Sequence, residues 1–171
     1  MRRLRYSVAA SLDGFIAGSQ GEYDWIVHDP NIDFAAMFSE FDTLLMGRGT
    51  YEVANAEGKS WSSFGQKWIV VSTTLKPEDH PNVTILSGGV EQAVAALKAQ
   101  PGKDIWLFGG GVLFRSLYDA GLVDTVEIAL MPVMIGSGIP LLPAGSRAAL
   151  KLIESKALPS GILMLKYSVD N

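Results

Sequence analysis

The sequence predicts an α/β fold: a mostly parallel central sheet with helices on both faces and an antiparallel hairpin at the C-terminal end. Three observations predict it. Short apolar runs alternate with segments whose apolar residues recur at i, i+3, i+4 and i+7, the order that a parallel sheet with crossover helices requires. The run Ile105-Trp106-Leu107-Phe108 passes through Gly109-Gly110-Gly111 into Val112-Leu113-Phe114, which reads as a buried strand, a tight turn and a helix N-terminus. From Val123 the period falls to two, with Val126, Ile128 and Leu130 alternating against Thr125, Glu127 and Ala129, and strands without helices follow.

Taken in order, Leu4 to Ala10 is strand-like and runs into the turn pair Asp13-Gly14. No alternating partner follows within hairpin distance, so Gly21, Tyr23, Asp24 and Trp25 read as a long loop, and long loops in compact domains tend to be functional. Asp29-Pro30 gives a cap and a first-turn proline for a helix carrying Phe34, Met37, Phe38 and Phe41 on one face. Thr43 to Met46 is a short buried strand, and Gly47-Arg48-Gly49-Thr50-Tyr51-Glu52 is a second glycine turn into a helix. Asn55 to Phe64 reads as loop. Trp68 to Val71 is a strand ending in the hydroxyls Ser72-Thr73-Thr74, and Val83 to Leu86 is another. Ser87-Gly88-Gly89 opens a helix with Val90, Ala93, Val94 and Leu97 on one face, which Pro101-Gly102 ends. After the central strand, Leu113, Phe114, Leu117 and Tyr118 form the last helical face, stopped at Gly121. Pro132 and Gly136 to Pro140 form a loop, and Leu150 to Ala157 with Ile162 to Val169 make a hairpin through Pro159-Ser160-Gly161.

Composition narrows the function. The 171 residues fit one domain. A net charge of −4 argues against general affinity for nucleic acid, and Arg2, Arg3 and Arg5, the single basic cluster, read as a solvated strand start. No apolar run approaches membrane-spanning length, so a cytoplasmic protein is expected. Zero cysteines exclude disulfides and thiolate nucleophiles, and two histidines without paired ligand spacing make a metal unexpected. Both glycine turns gather free N–H groups at a helix start, a setting suited to phosphate, although Gly-Gly-Gly is also an ordinary connector.

Six stretches occur together in a familiar order: Ser11-Leu12-Asp13-Gly14-Phe15-Ile16-Ala17, Gly47 to Glu52, Val71-Ser72-Thr73, Gly109-Gly110-Gly111, Gly121-Leu122-Val123-Asp124, and Pro132 to Leu142. They resemble the dihydrofolate reductase-like family, and more narrowly the C-terminal reductase domain of riboflavin-biosynthesis deaminase-reductases and its stand-alone bacterial relatives. The resemblance runs from Tyr6 nearly to the C-terminus. It implies a central, mostly parallel eight-stranded sheet with four flanking helices, and NADPH lying across the carboxyl ends of the strands. Carried over, Gly110, Gly111 and Val112, bracketed by Gly109 and Leu113, would face the pyrophosphate. Arg48, Gly49 and Thr50, led by Gly47, would face the phosphates from the other helix start. Ser72 and Thr73 would lie near the adenosine end. Ala10, Ile16 and Gly18 would flank the nicotinamide, with Asp13 in the loop closing over it.

The residues agree on the cofactor. A strand feeding an NAD-preferring site usually presents an acidic residue to the ribose hydroxyls, whereas here hydroxyls and Arg48 stand ready for a 2′-phosphate, so NADPH is favoured over NADH. In dihydrofolate reductases a carboxylate on the first helix binds the pterin edge and assists protonation. Asp33 is the candidate by resemblance, and stabilising the positive end of its own helix is its competing role. Asp13 is equally accounted for as a turn former.

The riboflavin enzymes commonly carry a basic residue after Asp13-Gly14, where this chain has Phe15. That departure favours an uncharged or aromatic heterocyclic substrate. Trp25, Phe34, Phe38 and Trp61 are available to stack on it, with core packing the alternative for Phe34 and Phe38. No deaminase zinc motif is present, so the chain could supply only the reductive half of the riboflavin step. Val123 to Leu130 and the hairpin bring apolar residues to one side of the sheet, an edge that predicts a homodimer.

Overall fold

The computed structural model describes residues 1–56, 65–145 and 147–169. Trp61 and most of the segment read as loop after Asn55 lie outside them.

The described residues form ten strands, four α-helices and one short 3₁₀ turn. The strands are β1 (Leu4–Ser11), β2 (Phe15–Ala17), β3 (Phe41–Gly47), β4 (Lys67–Val71), β5 (Thr84–Leu86), β6 (Asp104–Gly109), β7 (Thr125–Met131), β8 (Ile139–Pro140), β9 (Leu150–Ala157) and β10 (Leu163–Val169). The helices are α1 (Phe34–Ser39), α2 (Arg48–Ala56), α3 (Val90–Ala99) and α4 (Gly111–Asp119). One eight-stranded sheet runs β5-β4-β3-β6-β1-β7-β10-β9, with β2 and β8 forming a separate small pair.

The sheet is parallel from β5 through β7, and β10 alone runs the other way, pairing antiparallel with β7 on one side and with β9 on the other. The two-residue period of β7 suggested a half-covered strand of the antiparallel tail. It is instead an interior strand, parallel to β1 and paired with β10 on its other side. Its outward-reading residues Glu127 and Ala129 face a cleft, and a polar cleft reads like solvent in a one-dimensional pattern. The exposed edge is therefore β9, where every residue is exposed, Leu150, Leu152 and Ile153 among them.

Alternation along β1 decides which layer each residue joins. Leu4, Tyr6 and Val8 join Leu45, Ile105, Leu107 and Val126 beneath α3 and α4, in a core completed by Val94, Phe114 and Leu117. On the opposite face Leu44, Met46, Val70 and Trp106 pack against Phe38 of α1 and Tyr51 and Ala54 of α2.

The first helix starts four residues later than the Asp29-Pro30 pair predicts. Asp33 caps α1 by accepting from Ala36 N at 2.9 Å, a bond worth about 1 kcal/mol. Asp29 instead accepts from Asn31 N at 2.8 Å and Ser160 N at 3.2 Å, tying the long loop to the β9–β10 turn. These contacts, Ser160 first and Asn31 next, hold its carboxyl down at about 2. A six-residue helix has no independent stability. Phe38 anchors it, buried with its ring 5.1 Å from that of Trp106, while Phe41 already belongs to β3.

The basic cluster is also corrected. Arg2 and Arg5 are buried, and only Arg3 is open to solvent. Arg2 pairs with Asp42 and donates to Thr43 Oγ1, and Arg5 is ringed by Glu127, Glu40 and Asp104. Each partner lies on an element that only the fold brings alongside β1.

Candidate active site

The site is built where β3 and β6, adjacent and parallel, end in glycine and pass straight into helices. Met46 pairs with Gly109. Two residues later α2 starts at Arg48 after Gly47, and α4 starts at Gly111 after Gly110, whose φ is +100°. A Cβ on Gly110 would stand 3.4 Å from Gly47 N, one on Gly109 would fall 2.8 Å from Thr50 Oγ1, and one on Gly111 would fall 3.2 Å from Pro143 Cδ. Glycine is what lets the two helix starts lie backbone to backbone. No side chain caps α4, so its first-turn N–H groups are left to whatever sits above them. This bare cradle fits the diphosphate of a dinucleotide.

Beyond the glycines opens a cleft of about 860 Å³. The α1-facing side of the sheet supplies Ser7, Ala9, Trp106, Phe108, Glu127 and Lys166; the long loop and α1 supply Tyr23, Ile26, Asn31, Phe34, Met37 and Phe38. Of the residues expected at the cofactor, Ile16, Gly49, Thr50, Gly109, Gly110 and Gly111 line this cleft. Gly47 sits directly beneath, against Gly110. Val112 projects outward and offers only its backbone, while the Leu113 side chain belongs to the core under α4.

Other expected residues are placed elsewhere. Ala10 is fully buried, and strand alternation puts its neighbour Ala9 in the cleft. Gly18 closes the β2 end of the long loop, donating to Glu22 O at 2.8 Å. Arg48 Nη1 donates to Thr74 Oγ1 at 2.9 Å, beside β4. The Ser72 hydroxyl is turned inward, accepting from Thr74 N and Leu75 N at 3.2 and 3.0 Å, and Thr73 is exposed. Thr74, the next hydroxyl of the same run, is thus the partner of Arg48.

Neither proposed acid lines the cleft. Asp33 is an exposed cap. Asp13 accepts from Ser11 Oγ at 2.6 Å, Gly136 N at 2.7 Å and Ile135 N at 3.1 Å, clamping the β1–β2 turn to the segment before β8. The Ser11 hydroxyl first, joined by the two amides, outweighs the opposing effect of burial and holds its carboxyl below the usual range. Phe15 pairs with Pro140 between β2 and β8. Trp25 packs by Met131 and Ile162, whereas Phe34, though it heads the predicted core face, is exposed in the cleft.

What sequence reasoning missed is the polar floor. Glu127 is gripped by Arg5 through two bonds of 2.8 Å, receives Thr125 Oγ1 at 2.8 Å and has Lys166 Nζ 3.3 Å away. Burial alone would raise its carboxyl, but Arg5, Thr125 and Lys166 outweigh that and hold it below the ordinary value. It is therefore a fixed anion. The alternation of β7 marked Glu127 as outward-facing, and only the pairing of β7 with β10 shows what it faces.

A central eight-stranded, largely parallel sheet with a glycine cradle at its carboxyl ends defines a dihydrofolate reductase-like fold. The dihydrofolate reductase of Enterococcus faecalis, solved with NADP(H) and RAB-propyl, superposes over 99% of this chain and 97% of its own with a TM-score of 0.73, at 17% identity. The model of the RibD C-terminal domain matches residues 2–164, and the chain belongs to that family. A putative riboflavin biosynthesis protein from Shewanella sp. PV-4 matches over the full length of both chains, with a TM-score of 0.85 and 25% identity. The uncharacterized protein YyaP of Bacillus subtilis (strain 168) is 31% identical over 177 residues, covering 97% of this chain and 94% of its own. No helix among the described residues is long and apolar enough to cross a membrane.

Proposed function

We propose that this chain is an NADPH-dependent reductase that delivers a hydride to a pterin, folate or pyrimidine-like heterocycle. The observation that carries the reading is the pair of glycine-led helix starts, side by side, opening into an aromatic-walled cleft. NADPH bound there would supply the hydride. Gly110, Gly111 and the Val112 amide would hold the pyrophosphate, Gly49 and Thr50 the adjoining phosphate, and Arg48 with Thr74 the 2′-phosphate. Ile16 and Ala9 would confine the reacting ring, with Phe34 and Phe108 beside the acceptor. Reduction of a C=N bond then asks the protein mainly for alignment and a dry wall. With Asp33 and Asp13 engaged elsewhere, the proton comes from solvent through the open side of the cleft. The reading places the protein in the cytoplasm, with the reduced nicotinamide pool.

Titration with NADPH and NADH, followed by tryptophan fluorescence, tests this directly, since Trp106 lines the cleft. NADPH is expected to bind at least tenfold more tightly. Arg48→Ala should weaken NADPH about tenfold, or ~1.4 kcal/mol, and leave NADH unchanged. Binding of neither nucleotide would remove the reading.

The family match supports a second substrate, the phosphoribosylamino-uracil of riboflavin synthesis, and Lys156 and Lys166 in the cleft favour it by offering charge to a phosphate. A KM that depends on the phosphate separates the two. NADPH that binds but is never oxidised with any heterocycle would indicate a binding protein.

We also propose a homodimer formed through β9, whose unpaired edge carries Leu150, Leu152 and Ile153. Light scattering should give a mass of twice 18.4 kDa at micromolar concentration, and Ile153→Lys should reduce it to one chain.

A further inference from the structure

We propose that Glu127 and Lys166 on the cleft floor read the far edge of the substrate as an acceptor and donor pair, selecting a ring that presents a lactam, N–H beside C=O. Three observations meet here.

The two groups are neighbours by strand register, Glu127 opposite Lys166, with Nζ 3.3 Å from Oε1. Their hydrogen-bonding capacity is unspent. Among the described residues Oε2 of Glu127 accepts only the Arg5 Nη2 bond and keeps a lone pair, and Lys166 keeps donors beyond the one directed at Glu127. Their identity as acceptor and donor is fixed, because the buried Arg5 holds Glu127 ionised and oriented.

Their distance from the cradle suits a ring. Glu127 pairs with Ser7, two residues before Ala9, hence about 6.6 Å from the level of Ala9 at ~3.3 Å per residue. A fused two-ring heterocycle with its reacting carbon at Ala9 reaches that far and no farther. This placement of the reacting carbon rests on the reductase reading; the pairing itself does not. In the same pose a 2,4-diamino ring sets its N3 lone pair against Glu127 and its 4-amino group against Lys166, mismatching both, whereas a lactam satisfies both. A site built to pair a polar edge discriminates strongly against an analogue that cannot pair, because its own groups are left unsatisfied.

The test uses calorimetric titration of the full chain with 2,4-dioxopteridine and 2,4-diaminopteridine, two rings of the same shape, alongside NADPH titration by fluorescence. The wild type is expected to bind the dioxo ring at least tenfold more tightly. Lys166→Met, at a partly exposed position, should erase that preference by weakening the dioxo ring about tenfold, with the diamino ring and NADPH little changed. Lys166→Arg should restore part of it. Equal binding of the two rings, binding of neither, or a parallel loss of both in Lys166→Met would overturn the proposal. Dioxo preference lost in Lys166→Met together with absent NADPH binding would sink the reductase reading and leave the pair standing.

Discussion

Gly110→Ala should abolish measurable NADPH binding while lowering the melting temperature by only about 2–12 °C. Both effects start in the backbone. The residue sits at φ +100°, a region that costs a non-glycine residue about 1–3 kcal/mol, which for a chain of this size is roughly 2–4 °C per kcal/mol. The added methyl would also stand 3.4 Å from Gly47 N and 3.5 Å from its Cα, at the seam between the two helix starts. That is ordinary contact, so the harm to the site comes from the backbone: relief of the strain at φ +100° turns the first N–H groups of α4 away from a common focus. Misalignment at an anion site costs several hydrogen bonds together. Gly121→Ala provides the control, since it carries similar backbone strain at φ +67° with no atom within 4 Å and lies at the far end of α4. It should lose stability to a similar degree and bind NADPH normally. If both variants bind alike, the cradle does not hold the nucleotide.

The contrast between these glycines shows what is legible in a sequence. Glycines in a strand-to-helix run announce a turn, and the two runs before α2 and α4 could be placed and given a chemistry. Their proximity could not be read, because it depends on β3 and β6 being sheet neighbours although 61 residues with two further strands separate Gly47 from Gly109 on the chain. Helices were legible where a long apolar face repeats, as in α3. They were misjudged where a cap decides the start, since Asp29 and Asp33 are both acceptable caps and tertiary contacts to Ser160 take the first of them. Side-chain roles in the cleft were least legible. Ala9 or Ala10, and Asp33 or Glu127, are choices of register and facing, and a shift of one residue in a strand exchanges floor for core. Charges in the chain were likewise read as solvated until strand pairing supplied their partners, and Arg5 is the clearest instance.

Arg5→Met should be the most destabilising single change in the cleft, at about 3 kcal/mol, because it removes the buried cation that grips the partly buried Glu127 and leaves only the more exposed Lys166 beside it. Methionine retains much of the stem that packs against Phe41, over which the guanidinium lies 4.5 Å from the ring centroid, so the loss measures charge more than volume. The pH dependence separates this from a simple packing defect. In the wild type, Glu127 and Asp104 are held below their ordinary values of 4.5 and 3.8: burial pushes each up, but the arginines win. A carboxylate depressed in the folded state contributes stability that is present above its unfolded pKa and is lost as pH falls through the folded one. Wild-type stability should therefore decline as pH drops below about 4.5. Without Arg5, burial becomes the larger influence on Glu127 and raises its folded pKa, so protonation relieves the variant instead of harming it. The gap in melting temperature between wild type and Arg5→Met should be widest near neutral pH and narrow steadily towards pH 4, read by calorimetry in parallel buffers. A gap that stays constant across that range would mean that the network contributes packing alone, and that Glu127 is not the fixed anion on which recognition at the cleft floor depends.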